Sequence, residues 1–135
     1  MLSKSFLFSF IGKVQKHRCR GRTLGYPTAN VMVSQDTPEG IFVGYLILDK
    51  VKRPSLIFVG SPLTFGETDK RAEMYIFDFN DNIYGKEVTV EVLKKMRNNK
   101  KFDSPEKLIE QMKRDEKQGR EFFSTLKKEL SAESH

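Results

Sequence analysis

Apolar and polar residues alternate along several short segments in the first two thirds of the chain. The predicted strands are Ile41–Leu48, Ser55–Val59, Ala72–Phe79 and the segment in which Val88, Val90 and Val92 alternate with polar residues. Turn-forming residues such as those at 38–40 and 80–82 separate them. The N-terminal apolar residues up to Ile11 are interpreted as a first strand and not as a leader, because serines interrupt a short apolar run. This pattern predicts an antiparallel sheet or barrel and not βαβ units.

The spacing of apolar residues changes near the C-terminus. Ser104, Pro105 and Glu106 form a typical helix start, with a cap, a proline in the first turn and an acidic residue near the positive end of the dipole. A 3–4 spacing then includes Ile109, Met112, Glu116, Gly119, Phe123, Leu126 and Leu130. All of these except Glu116 can face a core. A glycine at position 119 lowers helix stability by about 1 kcal/mol relative to alanine, so a bend or break there is compatible with the sequence.

Length and composition predict one globular domain. The 135 residues, 38% hydrophobic and 31% charged, are enough for one core, which we expect over about 6–130, with 131–135 as a mobile tail. No apolar run is long enough for a membrane span, and the single Cys19 fits a reducing, cytoplasmic setting. The formal net charge of +6 favours an anionic partner, either a polyphosphate ligand or a nucleic acid. The two histidines have no metal-ligand partner at a useful spacing.

Thr28 and Asn30 are the most informative pair of residues. Pro27 favours an extended chain here, and in an extended chain side chains two residues apart lie on the same face. A hydroxyl and an amide oxygen are ligands for a hard cation such as Mg²⁺, which usually binds together with phosphates. The alternative is a turn followed by a strand with a polar first residue.

Three other segments offer candidate chemistry, each with a simpler alternative. No P-loop motif is present, but the glycines and cations from Gly12 to Arg22 could cradle a polyphosphate, or form a solvated basic loop. Glu73 lies among apolar and aromatic strand residues and could act as a general base, or be a solvated strand-end glutamate. The segment Met96–Phe102 could clamp a flat aromatic ligand, or simply connect a strand to the helix.

Taken together and in order, several segments resemble the riboflavin kinase family. They are Gly12–Val14, Gly21–Asn30, Pro38–Tyr45, Thr64–Gly66, Glu73 with Asp78-Phe79, Ile83–Lys86 and Arg97–Ser104. The resemblance implies a mainly β fold, a six-stranded antiparallel Greek-key barrel with a C-terminal α-helix packed on it. It also implies transfer of the γ-phosphoryl group of ATP to the 5′-hydroxyl of riboflavin, giving FMN and ADP. Riboflavin and ATP are the implied partners, with Mg²⁺ or another divalent cation such as Zn²⁺ or Mn²⁺ as cofactor.

The resemblance also implies roles for individual residues. Glu73 matches the family's catalytic residue, and Thr28 and Asn30 match the residues that contact the metal and phosphate. The matched ATP-binding positions are Gly12, His17, Arg22, Thr28, Ile76, Asp78 and Tyr84, and the flavin-binding positions are Arg97, Lys100 and Phe102. The sequence departs from the family pattern at His17, where glycine is usual, and at Tyr75, where histidine is common. We expect a cytoplasmic monomer, either monofunctional or one module of a bifunctional enzyme.

The rival hypothesis is a small basic β-barrel that binds single-stranded nucleic acid by charge and aromatic stacking. It accounts for the net charge and for the 11% aromatic content. It does not account for the joint presence of the Thr28–Asn30 pair, the strand glutamate and the flavin-like loop. We therefore expect no nucleic-acid partner. A flavin- or nucleotide-binding domain without turnover is a third alternative.

Overall fold

Six β-strands and one α-helix make up the described part of the protein. The computed structural model describes residues 6–15, 28–61 and 70–133. The strands are β1 (Phe8–Lys13), β2 (Ala29–Val33), β3 (Gly40–Leu48), β4 (Val51–Gly60), β5 (Lys70–Ile76) and β6 (Glu87–Arg97), and the helix is α1 (Pro105–Glu133). Two compact units divide between Lys100 and Lys101, so the strands belong to the first unit and the helix to the second. In the described ranges, no helix is both long enough and apolar enough to cross a membrane.

All strand pairs of the sheet are antiparallel, in the order β1-β6-β3-β4-β5-β2. The two outer strands, β1 and β2, approach each other, and the Gln15 amide just after β1 donates a 2.7 Å hydrogen bond to the Asn30 carbonyl in β2. This bond makes the sheet a nearly closed barrel. The six antiparallel strands followed by a C-terminal helix confirm the predicted fold class.

The interior of the barrel is filled by side chains from alternate strand positions, as the period of two predicts. Phe42, Ile57, Met74 and Val90 are each at most 2% exposed. Among the described residues, the cluster consists of Val14, Ala29, Val31, Phe42, Leu46, Leu48, Ile57, Val59, Ala72, Met74, Ile76, Ile83, Val88, Val90 and Val92. β2 and β5 contribute Ala29, Val31, Ala72, Met74 and Ile76 to it, so the residues between these positions face away from the core.

β4 is longer than the predicted Ser55–Val59, because Pro54 does not end it. In an antiparallel strand the nitrogen and the carbonyl of one residue point to the same side. For Pro54 that side is the one facing the chain after β5, just beyond the last β4–β5 pair, Ser55 with Ile76. The Pro54 carbonyl accepts the Phe77 amide at 3.0 Å, and its missing N–H removes no bond between β3 and β4. A two-residue turn with φ of 52° at Asp49 and 69° at Lys50 joins those strands.

β5 ends earlier than predicted. The expected strand Ala72–Phe79 stops at Ile76, and Asp78 adopts a positive φ of 56°. This reversal turns Phe79 toward the core cluster, whereas continued alternation would place it on the same face as Glu73. The predicted strand was therefore too long by three residues, because the sequence gives no sign of the Asp78 conformation.

The helix begins as predicted and is continuous. The Lys107 amide donates to the Ser104 hydroxyl at 3.2 Å, which confirms Ser104 as the N-cap. α1 runs through Gly119 without a break. Asp115 of α1 is fully buried and accepts a 2.9 Å hydrogen bond from the side-chain amide of Gln111. Glu116, the one residue of the 3–4 spacing that was not expected to face a core, forms a 2.9 Å ion pair with Arg120.

A buried lysine anchors the connection between β2 and β3. The Lys70 ammonium donates to the carbonyls of Gln35 and Thr37, both at 2.8 Å, and lies 3.4 Å from the Glu39 carboxylate. Lys70→Met is therefore expected to lower the free energy of unfolding by about 3 kcal/mol, since hydrogen bonds to a charged donor are lost and two carbonyls lose their partner. Denaturant unfolding measures this change. The control Lys52→Met, which breaks a partly exposed ion pair with Glu91, is expected to cost under about 1 kcal/mol. Equal losses in the two variants would contradict the anchoring role of Lys70.

Candidate active site

Thr28, Asn30 and Glu73 lie together on the side of β2 and β5 that faces away from the core. Asn30 is the register partner of Glu73, and directly opposed residues of antiparallel strands place their side chains on the same face. The Thr28 hydroxyl donates to the Glu73 carboxylate at 3.3 Å. Thr28 is 5% exposed and Asn30 is 2% exposed. A hydroxyl, an amide and a carboxylate thus share one largely buried location.

The side-chain oxygen of Asn30 is buried and has no hydrogen-bond partner. Such an acceptor costs about 1–3 kcal/mol in a folded protein, so the Asn30 oxygen is a candidate ligand for a bound ion or an ordered water. The Thr28 hydroxyl, a second neutral oxygen group, donates its proton to the Glu73 carboxylate at 3.3 Å. Two neutral oxygen donors beside a carboxylate fit a hard divalent cation such as Mg²⁺. The described residues contain no cluster of three or more His, Cys, Asp or Glu side chains suited to a metal, and Mg²⁺ typically completes its coordination with water and substrate phosphates.

Gly12 and Gln15 support this site from the neighbouring strand. A Cβ atom on Gly12 would collide with the Val31 side chain, so glycine allows β1 to approach β2 at this point. The Gln15 amide then holds the Asn30 carbonyl. Gly12 was predicted to bind ATP from the sequence, and that role remains a prediction. The structure adds that Gly12 and Gln15 fix the position of β2 next to Asn30, which no local sequence signal indicates.

The residues predicted to line the nucleotide differ in their surroundings. Ile76 belongs to the core cluster, whereas Asp78 is exposed and Tyr84 is 57% exposed. Tyr84 lies in a turn in which its amide is bonded to the Asn82 side chain at 3.0 Å and Gly85 has a φ of 84°. Val14 exchanges 2.9 Å backbone hydrogen bonds with Gly85 and Lys86, so this turn is tied to the chain one residue before Gln15. The nucleotide contacts stay predictions, and His17 and Arg22 lie outside the described residues.

The residues predicted to bind flavin follow the end of β6. Arg97 is the last residue of β6 and its guanidinium donates to the Asn98 carbonyl at 3.1 Å. Lys100 is exposed, and Phe102 is half-buried and belongs to the second unit. The Asn99 side chain donates to the Val59 carbonyl at 3.0 Å and anchors this segment to β4. Sequence reasoning did not identify Asn99, and the flavin contacts stay predictions.

Comparison with known proteins gives consistent matches. Residues 4–123 match the family model described as Flavokinase: Riboflavin kinase. The chain is 36% identical over 124 residues to the trifunctional protein RibF/MnmA of Mycoplasmoides gallisepticum, covering 90% of this chain and 19% of that protein. It is 31% identical over 115 residues to the bifunctional riboflavin kinase/FMN adenylyltransferase of Bacillus subtilis, covering 81% of this chain and 36% of that protein.

A solved structure also resembles the fold. It is titled as a macrolide-efflux protein from Streptococcus pneumoniae, with a TM-score of 0.73 and 39% identity, covering 83% of this chain and 38% of that one. The chain spans between 19% and 38% of the length of these three proteins. The family model covers nearly all of this chain, and the six-stranded barrel agrees with the fold that the resemblance implies. The chain belongs to the riboflavin kinase family.

Proposed function

We propose that this protein transfers the γ-phosphoryl group of ATP to the ribityl 5′-hydroxyl of riboflavin, producing FMN and ADP. Family membership supports the choice of reaction. The observation that assigns this reaction to particular residues is the Asn30 oxygen without a hydrogen-bond partner, next to the Thr28–Glu73 hydrogen bond. Two oxygen groups suited to a divalent cation, next to a carboxylate, can support phosphoryl transfer to a hydroxyl.

Glu73 is the proposed general base. Its carboxylate would orient the 5′-hydroxyl and accept its proton while the hydroxyl oxygen forms a bond to the γ-phosphorus. The bond from that phosphorus to the bridging oxygen then breaks, and ADP leaves with the electron pair. The Thr28 hydroxyl holds the Glu73 carboxylate in place through its 3.3 Å hydrogen bond. Positioning should contribute more than base strength, because the transition state of phosphoryl transfer is loose.

Thr28 and Asn30 are the proposed ligands of a divalent cation, with Mg²⁺ as the first choice and Mn²⁺ or Zn²⁺ as alternatives. When bound, the cation would neutralise negative charge on the phosphate oxygens. The proposed ATP-binding residues are Gly12, His17, Arg22, Ile76, Asp78 and Tyr84, and the proposed flavin-binding residues are Arg97, Lys100 and Phe102. The cytoplasmic location and the monomeric state expected from the sequence remain predictions.

The purified chain, mixed with riboflavin, ATP and Mg²⁺, is expected to produce FMN and ADP in equal amounts. Chromatography with flavin fluorescence detects FMN, and a coupled assay detects ADP. A reaction without ATP and one with Mg²⁺ chelated are the controls. If no FMN forms while the chain binds single-stranded nucleic acid with a steep salt dependence, the nucleic-acid hypothesis replaces this one. Flavin binding without FMN would support a domain that binds but does not turn over.

A further inference from the structure

Arg71 shares the face of β2 and β5 that carries Thr28, Asn30 and Glu73. Arg71 lies two positions before Glu73 on β5, and its register partner on β2 is Met32, two positions after Asn30. Residues two apart on a strand point to the same face at a separation of about 6.7 Å. The diagonal pair across an antiparallel ladder, here Arg71 and Asn30, is about 7–8 Å apart and within reach of long side chains. The half-buried Arg71 can therefore reach the space in front of Glu73 and Asn30.

The proposed reaction brings like charges together at this location. The Glu73 carboxylate must lie near a hydroxyl that attacks a phosphoryl group, and a polyphosphate is itself strongly anionic. Repulsion between the carboxylate and the phosphate oxygens is strong in a partly dry site. β2 and β5, with the residue that precedes β2, place six described residues on this face, namely Thr28, Asn30, Met32, Arg71, Glu73 and Tyr75, of which Arg71 alone is a cation. The strand pair itself thus supplies one positive charge beside its one negative charge.

The contact between Arg71 and Met32 is suited to exchange. The Nε–H group of Arg71 donates to the Met32 sulfur at 3.4 Å. A thioether sulfur is a weak acceptor, whereas a phosphate oxygen forms short, charge-assisted and often bidentate hydrogen bonds with a guanidinium. A phosphate group at this face would therefore compete favourably with the sulfur for the Nε–H donor.

From this placement we propose that Arg71 binds the phosphate group undergoing transfer and reduces its repulsion with the Glu73 carboxylate. This inference depends on the proposed riboflavin kinase activity and adds a residue to its phosphate-binding set. The planar guanidinium, with its fixed fork of donors, suits phosphate oxygens better than a lysine does. The role predicts an effect on the nucleotide side of the reaction and little effect on flavin binding.

Arg71→Gln is expected to lower kcat/KM for ATP about 10- to 100-fold, the loss typical of one charge-assisted hydrogen bond. Arg71→Lys keeps the positive charge but lacks the planar fork of donors. Its kcat/KM for ATP is expected to lie between those of the unmodified protein and Arg71→Gln. Riboflavin affinity, measured by quenching of flavin fluorescence, is expected to change less than about 2-fold. Steady-state kinetics with ATP varied at saturating riboflavin, and the reverse, separate the two substrates. Thermal unfolding of each variant confirms folding, and Arg71→Met repeats the neutral substitution if the glutamine variant is unstable.

Two controls make the result specific. Lys50→Gln removes one positive charge from the exposed turn between β3 and β4, and is expected to leave the kinetics unchanged. Met32→Leu removes the sulfur acceptor and keeps the volume, and is expected to retain kcat/KM for ATP. Wild-type kinetics with ATP in Arg71→Gln, or an equal loss in Met32→Leu, would overturn the phosphate role of Arg71. Absence of FMN formation by the unmodified protein would instead reject the proposed function itself.

Discussion

Replacing Glu73 with glutamine is expected to reduce FMN formation about 10²- to 10⁴-fold, the range that general-base catalysis typically contributes. Glutamine has the same shape as glutamate and keeps an oxygen that can accept the proton of the Thr28 hydroxyl, so the hydrogen bond seen at 3.3 Å can persist. It cannot accept a proton from the substrate. The loss should appear in kcat, since the side chain is needed for the chemical step and less for binding.

The measurement is the rate of FMN formation at saturating riboflavin and ATP, together with thermal unfolding. Glu87→Gln is a matched control, because Glu87 is an exposed glutamate on β6, a strand that pairs with neither β2 nor β5. This control is expected to keep full activity. Near-normal turnover of Glu73→Gln would remove Glu73 from the role of general base, whereas loss of activity accompanied by unfolding would point to a structural role.

Replacing Asn30 with leucine is expected to separate stability from activity. Leucine is similar in size and has no polar atom, so it removes the buried oxygen that lacks a partner. The free energy of unfolding of the ligand-free protein is expected to rise by about 1 kcal/mol, within the usual cost of an unsatisfied buried acceptor. Activity is expected to fall, because one of the two proposed cation ligands is gone. Opposite changes in stability and function are typical of functional sites.

The metal role of Asn30 is tested with Asn30→Ala. The Mg²⁺ concentration needed for half-maximal rate is expected to rise at least about 10-fold, a loss of the size that perturbed metal sites commonly show. Riboflavin affinity should change less. Titration of Mg²⁺ at fixed ATP, and of riboflavin by fluorescence, compares the two effects, and Gln118→Ala, which removes an exposed side-chain amide on α1, is the control. For Asn30→Ala, a larger change in riboflavin affinity than in Mg²⁺ requirement would contradict the metal assignment. For Asn30→Leu, a lower free energy of unfolding than in the unmodified protein would contradict the cost ascribed to the Asn30 oxygen.

Local patterns in the sequence predicted much of the fold. The Ser104 cap, the start of α1 and the alternating strands β3 and β6 follow from chemistry within a few residues. Errors occurred where distant residues decide the local structure. Pro54 does not end β4, because its missing donor lies beyond the last β4–β5 pair. β5 ends at Ile76, because the chain reverses at Asp78. The two-residue turn at Asp49-Lys50 lacks the Asn-Gly or Asp-Gly signal that would have revealed it.

The candidate site likewise combines features that the local sequence predicts with features that depend on strand pairing. The spacing of Thr28 and Asn30 indicated a shared face, and the observed strand supports that part of the prediction. The proximity of Glu73 depends on the register of β2 against β5, which spacing alone does not determine. The bond between Gln15 and Asn30 and the contact between Arg71 and Met32 are also products of strand pairing. Resemblance to a family supplied the link to Glu73 that the residues alone left open.

The five residues of β2 contribute both to the barrel core and to the candidate site. Ala29 and Val31 fill the barrel interior, while Asn30 and the preceding Thr28 face Glu73. Because the two faces of a strand alternate with each residue, one insertion or deletion inside β2 would send Asn30 inward and a valine outward. An insertion or deletion between Thr28 and Val33 would therefore damage core packing and the proposed catalytic site together. Evolutionary change within this strand is confined to substitution.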